Sequence, residues 1–249
     1  MSIRYSSITY FWILTLLLSL FTVSGCSTSG VKSAKASNYN ADLGIRYLQQ
    51  GRLQLANDKL IKALEQNPNS ARSNHYFAIL QQRLEDNEKA GRYFSKAISI
   101  KPKDPEIRNN YGSFLCDTGR PQAAINQFMV AVKDPLYRTP EFAYTNAGIC
   151  LRKTNNHTQA ETYFRLALKK KASFPSALLE MAKLYNDRKI YPKAHAFMLR
   201  YENVGKSSPE ALQLCIVINQ KMNDYAKSSR CKSTLLRLFP GSSEAQQVN

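Results

Sequence analysis

The side chains that could carry out chemistry in this sequence are three histidines and five cysteines. His75, His157 and His195 are far apart, and none has a neighbour at the spacing of a metal site. The sequence also lacks a glycine-rich phosphate loop, a His-Glu-x-x-His motif and a Gly-x-Ser-x-Gly turn. We therefore expect no catalytic residue, no metal ligand, no cofactor and no small-molecule substrate, and the protein should not be an enzyme.

The first cysteine follows a segment typical of an export signal. Residues 1–25 contain one basic residue, Arg4, and an apolar stretch from Tyr10 to Phe21. That stretch is shorter than the ~20 residues that span a bilayer. Val23-Ser24-Gly25-Cys26 follows it and resembles a bacterial lipobox, in which small residues precede an acylated cysteine. An ordinary signal peptide that contains a cysteine is the alternative.

The lipobox predicts where the protein is anchored. Residues 1–25 form a lipoprotein signal peptide, and Cys26 carries the lipid. Ser27 follows the cysteine where Asp would favour retention, so we expect the protein to be lipid-anchored at the periplasmic face of the outer membrane. The small, polar residues that follow predict a flexible tether over 26–36, with a reach of about 18 Å.

The whole chain is strongly basic, with 35 Lys and Arg against 18 Asp and Glu and a formal net charge of +17. In a cytoplasmic protein this charge would favour nucleic-acid binding. An exported lipoprotein does not meet nucleic acid, so we expect no nucleic-acid partner. Solvated helix faces, an acidic partner or anionic lipid head groups all remain compatible with the charge.

Most of the remaining sequence follows a repeating pattern of small and large apolar residues. Small residues recur at intervals of 34, 34, 36 and 34, and each has a second small residue twelve positions later. A large apolar residue follows four positions after that, one helical turn along the same face. The first column is Gly44, Ala78, Gly112, Gly148 and Ala182, and the second is Ala56, Ala90, Ala124, Ala160 and Ala194. Two small residues facing each other let paired helices approach closely, and a 34-residue period is typical of the tetratricopeptide repeat (TPR).

The predicted fold class is therefore all-α, a right-handed superhelical solenoid of six TPR helical hairpins. The TPR domain spans 37–242, with residues 243–249 as a C-terminal tail. Ile216 and Lys232 depart from the columns, so the last unit is expected to be a degenerate capping hairpin. The two extra residues fall in 133–140, a longer connection with Tyr137 exposed. The predicted units are 37–70, 71–104, 105–140, 141–174, 175–208 and 209–242.

The inner face of such a solenoid is lined by the first helix of each hairpin and is the expected partner-binding surface. In the first two units this face carries three apolar residues and one cation: Ile45, Leu48, Ile79 and Arg83. We interpret them as a groove for an amphipathic helix or an extended peptide. The alternative is that the first hairpin curls inward and covers them. Ala41, His75, Asn109, Ser113, Thr145, Ile149 and Lys153 occupy equivalent inward positions.

Four cysteines remain once Cys26 is lipidated, an even number in an oxidising compartment, and they allow three pairings. Cys116 and Cys150 lie on first helices of adjacent hairpins, and Cys215 and Cys231 lie nearly opposite each other in the sixth hairpin. We predict a disulfide between Cys116 and Cys150, and a possible second one between Cys215 and Cys231. Free buried thiols are the alternative for both pairs.

The middle and the end of the chain resemble one particular family. Residues 109–116 (NNYGSFLC), 135–137 (PLY), 146–150 (NAGIC) and 238–244 (LFPGSSE) are similar to the type IV pilus biogenesis and stability lipoproteins of the PilF/PilW family. The resemblance covers about residues 41–245. It implies a scaffold or pilotin that helps the outer-membrane secretin to localise and multimerise, or that stabilises the fibre. The expected partners are the pilus secretin or other pilus assembly proteins.

A lipoprotein adaptor for peptidoglycan synthases or hydrolases is the competing interpretation. Such an adaptor would have the same anchor and the same repeats, so only residues 109–116 and 146–150 favour the pilus.

Overall fold

The computed structural model describes residues 27–248, which form thirteen helices and contain no strand. The helices are α1 (Ser27–Gln49), α2 (Leu53–Gln66), α3 (Ala71–Arg83), α4 (Asn87–Ile100), α5 (Pro105–Asp117), α6 (Pro121–Val132), α7 (Pro140–Lys153), α8 (His157–Lys170), α9 (Pro175–Asp187), α10 (Tyr191–Glu202), α11 (Pro209–Lys221), α12 (Tyr225–Leu238) and α13 (Ser243–Val248). Within this range, no helix combines the length and the apolar character needed to cross a bilayer. The predicted signal peptide and Cys26 lie outside the described residues.

Helices α1 to α12 pack in consecutive pairs as six hairpins, which confirms the all-α TPR prediction. The handedness of the solenoid stays a prediction. Three hairpins turn at Gly51, Gly119 and Asn155, which have a left-handed backbone with φ of 74°, 75° and 60°. The other three hairpins turn in the same way at non-glycine residues, which are Glu85, Lys189 and Asn223.

The described part of the chain divides into two compact units, with the boundary between Lys101 and Pro102. In the described residues, the first unit holds α1 to α4 and the second holds α5 to α13. The core of the first unit is built from the repeat columns and their neighbours, and its buried residues are Ala41, Ala56, Leu60, Ala63, Phe77 and Leu80.

In the second unit, two glycines of the first column are needed for close helix packing. A Cβ atom at Gly148 would lie 2.4 Å from Cε1 of Phe164, and one at Gly112 would lie 2.6 Å from Cε1 of Phe128. Both phenylalanines are fully buried. The small residue on the first helix therefore makes room for the aromatic ring of the second helix of the same hairpin, whereas the columns predicted that it faces the small residue of the second column.

A hydrogen-bonded carboxylate joins α8 to α9 in the second unit. The Tyr185 hydroxyl donates to Oε1 of Glu161 at 2.7 Å, and the Arg188 guanidinium donates to Oε2 at 2.8 Å. Arg165 adds a bond of 2.8 Å from the same helix as Glu161. Burial acts to raise the pKa of Glu161, but the hydrogen bonds from Tyr185 and Arg165 outweigh it and lower that pKa.

The predicted flexible tether over 26–36 is wrong, because α1 begins at Ser27. The Ser33 hydroxyl donates to the carbonyl of Gln66, at the end of α2. The Ser37 hydroxyl is fully buried and donates to the carbonyl of Ala63 at 2.8 Å. These small residues pack closely on α2 and find acceptors there, so the first hairpin begins about ten residues before the predicted boundary at 37.

The predicted C-terminal tail also has a structure. Residues Ser243–Val248 form α13, and Ala245 is fully buried against the core of the second unit. Because α13 packs on both α11 and α12, it covers the end of the sixth hairpin. The predicted capping hairpin is thus itself covered by a short helix.

The connection between α6 and α7 corrects a third expectation. Tyr137 is buried, with 8% of its surface exposed, whereas its neighbour Leu136 is 84% exposed. The backbone amides of Leu136 and Tyr137 both donate to Asp134, one to the side chain and one to the carbonyl. This turn directs the tyrosine inward.

Candidate functional site

The predicted groove residues lie on the two neighbouring first helices of the first unit. Ile45 and Leu48 are on α1, and Ile79 and Arg83 are on α3, which packs against α1. The three apolar side chains are half-buried and the Arg83 side chain is exposed. The structure thus brings together an apolar strip with a cation at one end, which we call the α1–α3 strip. Leu48 also packs against the core, so it is partly covered within its own hairpin.

Two other residues that the repeat placed on this inner face are part of the core. Ala41 is fully buried and His75 is 4% exposed, so neither can line a groove. The His75 ring lies 5.3 Å from the Tyr76 ring and 6.1 Å from the Phe94 ring. The histidine therefore has a packing role, and the accessible part of the strip is narrower than the sequence predicts.

In the second unit, ion pairs join the first helices of the fourth, fifth and sixth hairpins. The guanidinium of Arg152 on α7 binds Glu180 at 3.1 Å and Asp187 at 2.8 Å, both on α9. The ammonium of Lys183 on α9 binds Glu180 at 2.7 Å and Glu210 of α11 at 2.5 Å. Burial acts to lower the pKa of Arg152, but the carboxylates of Glu180 and Asp187 outweigh it and raise that pKa.

The α5 and α7 helices are joined on the same side by polar contacts. Asn146 donates to the Asn109 side-chain oxygen at 3.0 Å, and Lys153 pairs with Asp117 at 2.9 Å. The repeat pattern placed Asn109 and Lys153 on this face, but it did not predict the ion pairs. A sequence signal for them exists: Asp117, Lys153 and Asp187 occupy equivalent positions of successive repeats, and their charges alternate in sign. Most charges of this face are thus already paired within the protein.

The structure joins both predicted cysteine pairs. Cys116 of α5 and Cys150 of α7 are bonded, with their Cα atoms 5.7 Å apart. Cys215 of α11 and Cys231 of α12 are also bonded, with a Cα separation of 6.2 Å. Both separations lie within the range of about 4.4–6.8 Å that disulfides require. The predicted lipidation site, Cys26, lies outside the described residues.

Comparisons with known proteins identify the family. Two tetratricopeptide repeat family models match the chain, one over residues 41–105 and the other over residues 143–171. The type IV pilus assembly protein PilF of Pseudomonas aeruginosa is 30% identical over 233 residues, covering 90% of this chain and 92% of that protein. The crystal structure of PilW, described as a widely conserved type IV pilus biogenesis factor, superposes with a TM-score of 0.76. The chain belongs to the PilF/PilW family of type IV pilus biogenesis proteins.

The agreement with the PilF/PilW family extends over most of the chain. PilW is 31% identical, and the match covers 85% of this chain and 97% of PilW. A structure of Pseudomonas aeruginosa PilF gives a TM-score of 0.73 at 29% identity, covering 87% of this chain and 97% of that one. The resemblance read from residues 109–116 and 146–150 is therefore confirmed at the level of the family.

Proposed function

We propose that this PilF/PilW-family protein is an outer-membrane lipoprotein that acts as a scaffold or pilotin in type IV pilus biogenesis. It binds the pilus secretin or another pilus assembly protein and promotes secretin localisation and multimerisation, or stabilises the pilus. It works by protein–protein interaction and not by catalysis. The observation that carries the proposal is the α1–α3 strip, an accessible apolar surface in a family of pilus biogenesis proteins.

The chemistry of the strip suits a peptide partner. Ile45 and Ile79 are half-exposed. Amphipathic helices bind such surfaces through a few apolar anchors spaced one turn apart. Arg83 offers a charge for an acidic residue beside those anchors. In the second unit, the charged side chains are paired with one another, so fewer of them are available to bind a partner.

The proposed anchor is tested by replacing Cys26 with Ser. The expected result is a protein that stays unprocessed or leaves the membrane fraction, because the acylated sulfur is absent. A Cys26→Ser protein that matures and fractionates like the wild type would show that the lipobox interpretation is wrong.

The proposed role is tested by deletion. Loss of the protein should lower the amount of heat-resistant secretin multimer or of surface pili, while the secretin monomer is still made. Normal multimer and normal piliation in the deletion strain would rule out the role. Pull-down from detergent-solubilised envelopes separates the candidate partners: recovery of wall synthases or hydrolases instead of pilus proteins would favour the peptidoglycan adaptor.

The strip itself is tested by Ile45→Asp and Ile79→Asp, which place a charge on the apolar surface. Both variants should reproduce the deletion defect while folding normally by circular dichroism. Ile61→Asp is the matched control, since Ile61 is 40% exposed on α2, outside the strip. Wild-type piliation in both strip variants would remove the strip from the proposal and leave the role itself standing.

A further inference from the structure

Three potential metal ligands meet where the last two hairpins touch. Cys215 lies on α11, Cys231 on α12, and Glu202 is the last residue of α10. The two sulfurs and a carboxylate oxygen of Glu202 all lie within 4.8 Å of one another. Cys215 is 1% exposed and Cys231 is 9% exposed, whereas 34% of the Glu202 side chain is exposed. Across residues 27–248, this is the one group of three or more such ligands.

A cavity of about 220 Å³ opens beside these three side chains. Its walls include Met198, Tyr201 and Lys206, and the connection between α10 and α11 closes one side. That wall is fixed because the Tyr201 hydroxyl donates to the carbonyl of Lys206 at 2.6 Å. The space is large enough for an ion and a bound water. The three ligands therefore leave room for a fourth coordination position.

Neighbouring groups would hold the ligands in place. The Asn219 side-chain amide donates to the Cys215 sulfur at 3.4 Å, and an N–H donor of this kind stabilises a thiolate. The Lys227 ammonium lies 2.7 Å from Oε2 of Glu202 and orients the carboxylate, whose other oxygen can accept an ion. Outer contacts of this type are typical of protein metal sites.

We infer that the reduced form of this protein binds a thiophilic divalent ion of the zinc type through Cys215, Cys231 and Glu202. A dithiol reductant transfers two electrons and two protons to the Cys215–Cys231 disulfide and becomes a disulfide itself. The ion then displaces the two thiol protons and binds both thiolates, the carboxylate and one water. A disulfide oxidant, by thiol–disulfide exchange, takes two electrons from the two thiolates, re-forms the Cys215–Cys231 bond, is itself reduced to two thiols and releases the ion, so the site depends on the redox state.

Zinc binding requires a rearrangement of the reduced side chains. Zinc–sulfur bonds of about 2.3 Å and zinc–oxygen bonds of about 2.0–2.2 Å place tetrahedral ligand atoms about 3.5–3.8 Å apart. The two sulfurs, bonded at about 2.0 Å in the disulfide, must therefore separate after reduction, and Cα atoms 6.2 Å apart allow this by rotation of the two cysteine side chains. The Glu202 carboxylate oxygen lies within 4.8 Å of both sulfurs, and its partly exposed side chain can move closer. This inference revises the expectation, drawn from the histidine spacing, that the sequence contains no metal ligands.

The other disulfide supplies an internal control. In the described part of the chain, no His, Cys, Asp or Glu joins Cys116 and Cys150 within the same 4.8 Å limit. A dithiol alone offers two ligands and binds zinc more weakly than a site with a third protein ligand. Reduced Cys116 and Cys150 should therefore not form a comparable site.

The experiment uses two full-length chains, both with Cys26→Ser to remove the lipid. One also carries Cys116→Ser and Cys150→Ser, and the control carries Cys215→Ser and Cys231→Ser. Each is reduced with a dithiol, freed of reductant without oxygen and titrated with Co²⁺ and then Zn²⁺. The first should bind one ion, with the visible spectrum of tetrahedral cobalt and a sulfur-to-cobalt band that Zn²⁺ removes. The control and the unreduced chains should show neither.

Two single substitutions separate coordination from packing. Glu202→Gln should weaken Zn²⁺ binding at least about tenfold, whereas Glu210→Gln removes a carboxylate from an ion pair at the start of α11, away from the three ligands, and should leave binding within a few-fold of the parent. The inference is overturned if the first chain binds no stoichiometric ion, if the control binds equally well, or if Glu202→Gln has no effect. Circular dichroism monitors folding, and a first chain that unfolds on reduction and is not refolded by Zn²⁺ also overturns it.

Discussion

Single residues of the repeat columns set how closely two helices approach. Gly148→Ala places a methyl group 2.4 Å from Cε1 of the buried Phe164 ring, so the ring or the helix must move. We expect the overpacking to cost about 1–3 kcal/mol, partly offset by the ~1 kcal/mol that alanine gains in helix propensity. Thermal unfolding should show a lower Tm. Gly241→Ala is the control, since no atom lies within 4 Å of its added Cβ; equal Tm values for both variants would contradict the packing argument.

The contribution of the single residue Glu161 to the free energy of unfolding depends on pH. Its pKa is lowered in the folded state, so its stabilising effect is present above the unfolded pKa of about 4.5 and is lost as the pH falls through the folded value. Glu161→Gln should therefore lower the unfolding free energy by about 1–3 kcal/mol near pH 7, and the difference should shrink below pH 4.5. Urea unfolding across pH 3–7 measures it, with the exposed Glu65→Gln as control. A difference that does not depend on pH would count against the ionised hydrogen-bond network.

At the scale of helices, the bond between Cys116 and Cys150 joins α5 to α7 around a separation of 34 residues. In the chain-entropy model, closing such a loop contributes roughly 3–4 kcal/mol. Cys116→Ser with Cys150→Ser should lower stability by about that amount under non-reducing conditions. Non-reducing peptide mapping of exported protein tests the bond directly, and a Cys116 thiol that alkylates in the native, unreduced chain would contradict it.

The helices show how far the sequence could be read. The 34-residue columns predicted twelve helices and their turns, because each hairpin repeats the same packing between a small residue and a large one. The N-terminal part of α1 and all of α13 were missed because they lie outside the columns. Ser37 is buried by contacts with α2, and Ala245 is buried by contacts with the core of the second unit. The small and polar residues around them give no local sequence signal for these contacts.

The candidate site was predicted in part. Periodicity placed Ile45, Ile79 and Arg83 on neighbouring helices, since all three occupy first-helix positions of the repeat. It did not show that His75 is buried. A side chain at this position of the first helix points towards the core or towards the groove, depending on how the helix is tilted in its hairpin. The three-ligand cluster was also missed, since Glu202 meets the two cysteines only through the turn between α10 and α11.

At the scale of the whole molecule, a lipid on Cys26, as proposed, would make the distance between the membrane and the α1–α3 strip important. Ile45 lies eighteen residues beyond Ser27 on one continuous helix, a rise of about 27 Å. Inserting ten Gly and Ser residues between Cys26 and Ser27 should leave anchoring and folding unchanged but lower the yield of secretin multimer. A longer flexible linker lowers the effective concentration of the strip near a membrane-bound partner. The same insertion after Val248 is the control, and an undiminished multimer in both strains would contradict this expectation.

A helix that begins one residue after an attachment point also limits how a body can rotate. A long flexible tether leaves all three rotations of the attached domain free, so the domain samples every orientation. With a lipid on Cys26, α1 acts as a short stem: spinning about the membrane normal stays free, whereas tipping moves the whole first hairpin, because Ser33 and Ser37 join the stem to α2. The strip of such a molecule then stays within about 27 Å of its attachment point, the rise of α1 from Ser27 to Ile45. Two such molecules in one membrane would hold their strips within the same short distance of the lipid surface.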